Sequence, residues 1–248
     1  MGVLIGAGSL TFIFTTLLTI AGLGAAFILI PIFNALGVEL YEAMSIALLL
    51  NAIAMIFASI RFSKKKLIMW KTAIPIILAS IPFSMFGAKV AGGIDRDLLR
   101  WLFVGFLLFA AIMMLFYRAK EKEQNQSKSV QIAIGITIGV VAGFVGGLIG
   151  VGGGNMIVPV LVGLGFNPKK ASGTTSFIVI FSSFAGFLGH ISGTTISYSL
   201  LGVASVSSIL GALLGSYLMT DKLNKNQVKL LVGIILILIS AKMIYTLI

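Results

Sequence analysis

Residues 143–159 read Gly-Phe-Val-Gly-Gly-Leu-Ile-Gly-Val-Gly-Gly-Gly-Asn-Met-Ile-Val-Pro, with apolar sequence on both sides. The flanks call for a membrane helix, but Gly150, Gly152, Gly153, Gly154 and Asn155 stop it from running straight through. Glycine opens the positive-φ conformations of a turn and costs a helix interior about 1 kcal/mol per position. At membrane depth, non-helical backbone is tolerated only where it is buried in protein or lines a wet cavity. The break is therefore the expected substrate site.

Composition sets the environment. Of 248 residues, 58% are apolar and 10% charged, with a mean hydropathy of +1.12; soluble domains carry about 25% charged residues. The apolar stretches suffice for several crossings at about 20 residues each. They lack the alternation of barrel strands, so the expected class is an all-α, polytopic helical membrane protein. The net charge of +11 is assigned to cytoplasmic loops rather than to nucleic acid. With no cysteine, disulfides and thiolate metal sites are excluded. The opening Met-Gly-Val-Leu-Ile-Gly has no basic n-region and reads as the first membrane segment rather than a cleaved signal.

Along the chain, 3–21 is apolar, Gly22 and Gly24 interrupt it, and 27–36 resumes with Pro31 and stops at Gly37. One straight helix over 3–37 would be about 50 Å long, too long for a core of about 30 Å, so a hinge at Gly22–Gly24 is expected. Spans follow at 43–61, 70–90 and 98–117. Residues 118–129 are polar and read as a solvated linker. The second half then offers 130–149, a short 156–165, and spans at 171–190, 198–219 and 229–247. This makes about 8 full spans, or 10 segments with the short hairpin helices. Trp70 and Trp101 at span ends read as interfacial anchors.

The restart is a repeat. A shift of 128 positions brings Gly22, Gly24, Pro31, Gly37 and Ala43 onto Gly150, Gly152, Pro159, Gly165 and Ala171, and Gly87, Gly105 and Tyr117 onto Gly215, Gly233 and Tyr245. The expected organisation is a first membrane repeat at 1–117, a cytoplasmic linker at 118–129 and a second repeat at 130–248. Charge chooses the orientation. If each half crosses an even number of times, Lys and Arg divide 10 inside to 8 outside; if each crosses an odd number, 14 to 4. The positive-inside rule prefers the second. It implies inverted-topology repeats with both termini extracellular.

Few residues inside the spans can do chemistry. All seven acids, Glu39, Glu42, Asp95, Asp97, Glu121, Glu123 and Asp221, map to loops, and no metal site or catalytic motif is visible. Neither an enzyme nor a carboxylate-based proton relay fits. The one histidine, His190, falls at an outer span end and reads as an interfacial polar residue. What remains is neutral and polar: the two glycine breaks, Ser-Gly-Thr-Thr-Ser at 172–176, Ser182 and Ser183, with Ser45 and Asn51 in the first half. Scattered Gly139, Gly211 and Gly215 read as helix-packing residues. A helix restarting after Gly154 exposes free N–H groups and a positive dipole end, which suits an anion. Hydroxyls of Thr174, Thr175 and Ser176 are placed to donate to its oxygens, and no charge need enter the bilayer.

Gly-Leu-Ile-Gly-Val-Gly-Gly-Gly-x4-Pro at 147–159, with Ala-Ser-Gly-Thr-Thr-Ser at 171–176, resembles the sulfite exporter TauE/SafE family of membrane transporters. The weaker copy at 22–31 and Ala-x3-Ala at 43–47 fit that family's duplication. The resemblance implies a secondary transporter of sulfite, an organosulfonate or a related sulfur oxyanion in the bacterial plasma membrane. A passive anion channel, or a membrane subunit of a larger complex, is the alternative. The resemblance carries the motif's role onto Gly150, Gly152, Gly153, Gly154, Pro159, Thr175 and Ser176; Pro31 and Pro159 are the expected structural hinges. The first copy departs, with Ala25 and Ala26 for glycines and Ala47-Leu48 for Thr-Ser. No GxxxxGK[ST] loop, metal or cofactor is expected. The expected partners are a small anion and the lipid bilayer, with a homo-oligomer left open.

Overall fold

The computed structural model describes residues 2–91, 96–116, 128–191 and 197–247. Among them run α1 (Gly2–Ala21), α2 (Ala26–Ala35), α3 (Leu40–Lys64), α4 (Trp70–Val90), α5 (Arg96–Phe116), α6 (Lys128–Ile149), α7 (Gly154–Gly163), α8 (Pro168–His190), α9 (Tyr198–Tyr217) and α10 (Lys225–Leu247). No strand occurs among the described residues. Seven helices among the described residues are long and apolar enough to cross a membrane; α5 is also long, and α2 and α7 are short. The chain is an all-α polytopic membrane protein. Most of the linker, with Asp95, Glu121 and Glu123, lies outside the described residues; α6 already begins at Lys128. Glu42, Asp97 and Asp221 depart from the loop expectation: Glu42 and Asp97 lie in the first turns of α3 and α5, and Asp221 in a π-helical turn, Leu218–Lys222, that extends α9.

The helix ends have a common local cause. After α1, Gly22 takes φ +73°, its N–H donates to the Thr19 carbonyl, and Leu23 N–H donates to the Leu18 carbonyl. Gly150 ends α6 in the same way, with bonds to Gly147 and Gly146, and Gly37 and Gly165 end α2 and α7. This is the Schellman closure, which needs a left-handed residue at one position and therefore selects glycine. The following helices start alike too. Glu39 accepts from Glu42 N–H at the start of α3, and Asn167 accepts from Lys169 N–H at the start of α8, where Pro168 occupies a first-turn position. The starts of α2, α3 and α4 recur 128 positions later in α7, α8 and α9.

Packing places α3 and α8 at the centre: 72% of each is buried, against 33–50% for the other long spans. They cross antiparallel, with Gly186 facing Leu48, Ser183 bonded to Asn51, and Gly173 facing Leu67. Around them, α1 packs on α9 and α4 on α6, both parallel, and α5 packs on α10. The α4/α6 seam depends on small residues. A Cβ on Gly143 would lie 2.7 Å from the Ser80 Cα, and Gly139 and Gly147 are equally tight against α4 backbone. Gly211 and Gly215 play this part on α9 against α1. These are packing glycines, as their scatter suggests.

Candidate functional site

The two breaks, Gly22–Ala25 and Gly150–Gly153, meet in the protein interior. A Cβ on Gly154 would collide with the Leu23 carbonyl. Between them stands Asn51, in mid-α3 and fully buried. Its Oδ1 accepts the Ala25 N–H at 2.8 Å, and its Nδ2 donates to Ser183 Oγ at 2.9 Å. Gly24 and Gly152 have positive φ and are crowded by this bridge: a Cβ on Gly24 would strike the Asn51 carboxamide, and one on Gly152 would strike Ser183 Oγ. Ser182 Oγ donates to the Gly152 carbonyl at 2.8 Å. The unwound backbone is thus buried in protein, with part of its hydrogen bonding supplied by side chains, as the low-dielectric interior requires.

The two short helices start differently. Neither has a side-chain cap within its first turn, but the N–H of Ala25, at the head of α2, is taken by Asn51. The equivalent position on α8 is Val179, which packs beside Gly154 and cannot accept a bond. Gly153, at the head of α7, has no side-chain cap, and no side-chain acceptor among the described residues meets the N–H of Gly153, Gly154 or Asn155. Asn155 is 1% exposed, and both its amide oxygen and nitrogen are without a hydrogen-bond partner. Unpartnered amide atoms at that depth cost about 1–3 kcal/mol each. An uncapped helix start beside a free carboxamide can bind an anion through N–H groups alone.

The other expected residues separate into groups. Gly22 lies against Ser172, whose Oγ donates to the Ala21 carbonyl, and Gly150 lies against Met44. Thr175 and Ser45 are fully buried with unpaired hydroxyls. Thr174 instead accepts the Met69 N–H at 3.0 Å in the turn before α4, and Ser176 bonds back to the Ser172 carbonyl. Pro31 and Pro159 lie inside α2 and α7; the direction changes occur upstream, at the glycines. His190 differs from an interfacial residue, being 5% exposed, with Nε2 2.9 Å from the Gly147 carbonyl in the last turn of α6. Because a carbonyl only accepts, Nε2 carries the hydrogen. Ser183 was visible only as a neutral polar residue in a span. Its partnership with Asn51 breaks the repeat, whose equivalents are Met55 and Val179.

Broken helices meeting at a buried, uncharged polar centre define a polytopic membrane protein built around a non-helical core site, the arrangement of many secondary transporters. The sulfite exporter TauE/SafE family matches residues 7–243, and the chain belongs to that family. It is 26% identical over 254 residues to "Probable membrane transporter protein YunE" of Bacillus subtilis, covering 92% of each chain. It is 28% identical over 199 residues to "Probable membrane transporter protein MJ0441" of Methanocaldococcus jannaschii, covering 75% of this chain and 72% of that one. It is also 29% identical over 137 residues to "Probable membrane transporter protein YdhB" of Bacillus subtilis, about half of each chain. No solved structure matches.

Proposed function

We propose that the protein is a secondary transporter of a small oxyanion, a sulfur species such as sulfite or an organosulfonate, in the plasma membrane. The observation that carries this reading is the uncapped start of α7 at Gly153–Asn155, beside the unpaired Asn155 amide. The family name supports a sulfur oxyanion as cargo. Alternating access between two inverted repeats is the expected mechanism. Its support is the 128-residue recurrence of helix starts, the antiparallel crossing of the equivalent helices α3 and α8, and the exchange of partners in α1/α9 and α4/α6. The end of the molecule that gathers Arg61, Lys64, Lys65, Lys66, Lys169, Lys170 and Lys222 is assigned to the cytoplasm, which leaves both termini outside.

The test is uptake of labelled sulfite, sulfate, thiosulfate and short sulfonates into liposomes holding the purified chain, beside Gly153→Leu and Thr175→Val. Saturable uptake of one anion, lost in Gly153→Leu and reduced in Thr175→Val, is expected. Normal transport by both variants would remove the α7 site. Movement of a cation alone would defeat the anion reading, and unsaturating current would identify a passive pore.

A further inference from the structure

Seven buried residues among those described carry side-chain polar atoms without a hydrogen-bond partner: Thr11, Thr15, Thr19, Ser45, Ser59, Asn155 and Thr175. They are not spread evenly. The central bridge joins Asn51 to Ser183, and the basic end of the molecule lies where α3 finishes and α8 begins. Ser59 stands eight residues from Asn51 toward that end, and Thr175 eight residues from Ser183 toward it. Each is therefore about 12 Å from the bridge along its helix. Thr15 and Thr19 occupy the last turns of α1, whose end is tied to α8 by the Ser172 hydroxyl on the Ala21 carbonyl. Asn155 opens α7, which runs from the breaks to the loop before Pro168. Five of the seven thus lie on four elements between the central bridge and the basic end.

The repeat makes this placement more telling. Positions equivalent to Thr11, Thr15 and Thr19 on α6 are Gly139, Gly143 and Gly147, which close tightly on α4. Glycine closes both seams, from α6 in one and from Gly211 and Gly215 of α9 in the other, but only the second sets buried hydroxyls without a protein partner, Thr15 and Thr19, beside its glycines. Hydroxyls without partners are costly in a sealed interior, and they are well suited to a layer that opens to water and to a hydrated anion.

That layer ends at a compact ionic cluster. Asp221, in the π-helical turn after α9, receives Arg61 Nη2 at 2.5 Å and Lys65 Nζ at 2.6 Å, both from the end of α3. Arg61 Nε also donates to Thr220 Oγ1, Lys169 Nζ donates to the Thr220 carbonyl, and the Arg61 guanidinium lies 4.9 Å from the Tyr217 ring centre. The cluster binds α3, α8 and α9 together across the basic end. The positions equivalent to Arg61, Lys65 and Asp221 in the other half are Gly189, Gly193 and Gly93, so the repeat supplies no matching latch.

We infer that Thr15, Thr19, Ser59, Thr175 and Asn155 line the closed access route of the anion to the basic end, and that the Asp221 cluster is its gate. Asp221 serves there as a tethered anion. It occupies Arg61 and Lys65 while the gate is shut, and an arriving oxyanion competes with it for the same donors. This inference rests on the anion-transport reading for its cargo, but its geometry is testable without any cargo.

The absence of cysteine makes the test direct. Single cysteines at Ser59 and Thr175 are introduced into the full chain in liposomes and exposed, from the basic side, to a membrane-impermeant methanethiosulfonate. A third cysteine at Ser80, in the glycine seam, is the control. With Asp221 intact, all three react slowly. Adding Asp221→Asn is expected to raise the rates at 59 and 175 about tenfold, the effect of moving a minor open state toward dominance, and to leave position 80 unchanged. Lys65→Gln, at a more exposed partner, is expected to act in the same direction and less strongly. Equal rates with and without Asp221→Asn and Lys65→Gln would overturn the gate, and a parallel rise at position 80 would show general loosening and overturn it as well. Labelling as expected in a protein that moves no anion would retain the route and reject the cargo.

Discussion

The first break and the second have the same stopping glycine and different occupants. In both, a Schellman closure ends the long helix, at Gly22 or Gly150, and a second positive-φ glycine, Gly24 or Gly152, lets the chain pass the central helices. In the first, Ala25 then turns directly into α2 at φ −92°, and Asn51 caps it. In the second, Gly153 adds a third left-handed residue at φ +74°, and Val179 stands where a cap would be. In the first copy Asn51 takes the N–H of Ala25 at the head of the short helix; in the second the matching N–H, on Gly153, meets no side-chain acceptor among the described residues. On the function proposed above, the two copies have specialised, with the first half supplying support and the second supplying the binding end.

The sharpest way to break this contrast is to remove the cap. Asn51→Leu leaves the Ala25 N–H and the Ser183 hydroxyl unpaired and buried, which should cost about 3 kcal/mol, read as a fall in unfolding midpoint in detergent. The reverse change, Val179→Asn, gives α7 the cap that α2 has. It should hold or raise stability while lowering anion uptake at least about tenfold, because the carboxamide competes for the same N–H groups. If Val179→Asn transports normally, the α7 start is not where the anion binds.

Next in size is the conformational difference. Gly153→Ala places a Cβ on a left-handed residue and 2.5 Å from the Ala142 carbonyl, for an expected loss of about 2 kcal/mol. Ala25→Gly, the matching change in the first half, meets neither obstacle and should cost less than about 1 kcal/mol through added freedom in the unfolded chain. Thermal unfolding of the two variants side by side measures the difference. Equal losses would mean that the third glycine is not what separates the copies.

Much of this was legible in the sequence, for definite reasons. A helix stop that needs a left-handed residue selects glycine, so Gly22, Gly37, Gly150 and Gly165 mark the segment ends. The clustering of the acids toward segment ends and loops likewise points to backbone amides and hydroxyls. The Asn51–Ser183 bridge was not legible as a pair, because it joins positions 132 apart whose repeat equivalents are apolar. Nor was the division of labour within Ser-Gly-Thr-Thr-Ser. Neighbouring helical residues point in different directions, and only packing decides which hydroxyl meets the turn before α4 and which stays unpaired. The burial of His190 escaped for a related reason: it follows from the end of α6 closing over it, a tertiary event with no local signature.

That division within residues 172–176 yields the smallest prediction and the most discriminating. Thr174 caps the Met69 N–H, whereas Thr175, one residue on, has no partner. Thr174→Val should therefore cost about 1 kcal/mol of stability and leave the preference among anions unchanged. Thr175→Val removes a buried hydroxyl that the folded protein does not satisfy, so stability should stay level or rise slightly, while uptake falls and the KM for the anion increases. Unfolding midpoints and uptake kinetics of the two variants separate the roles. Had the motif acted as one hydroxyl cluster around the anion, both changes would weaken binding and neither would spare it. An outcome of that kind would move the anion toward the α4 turn and away from the uncapped start of α7.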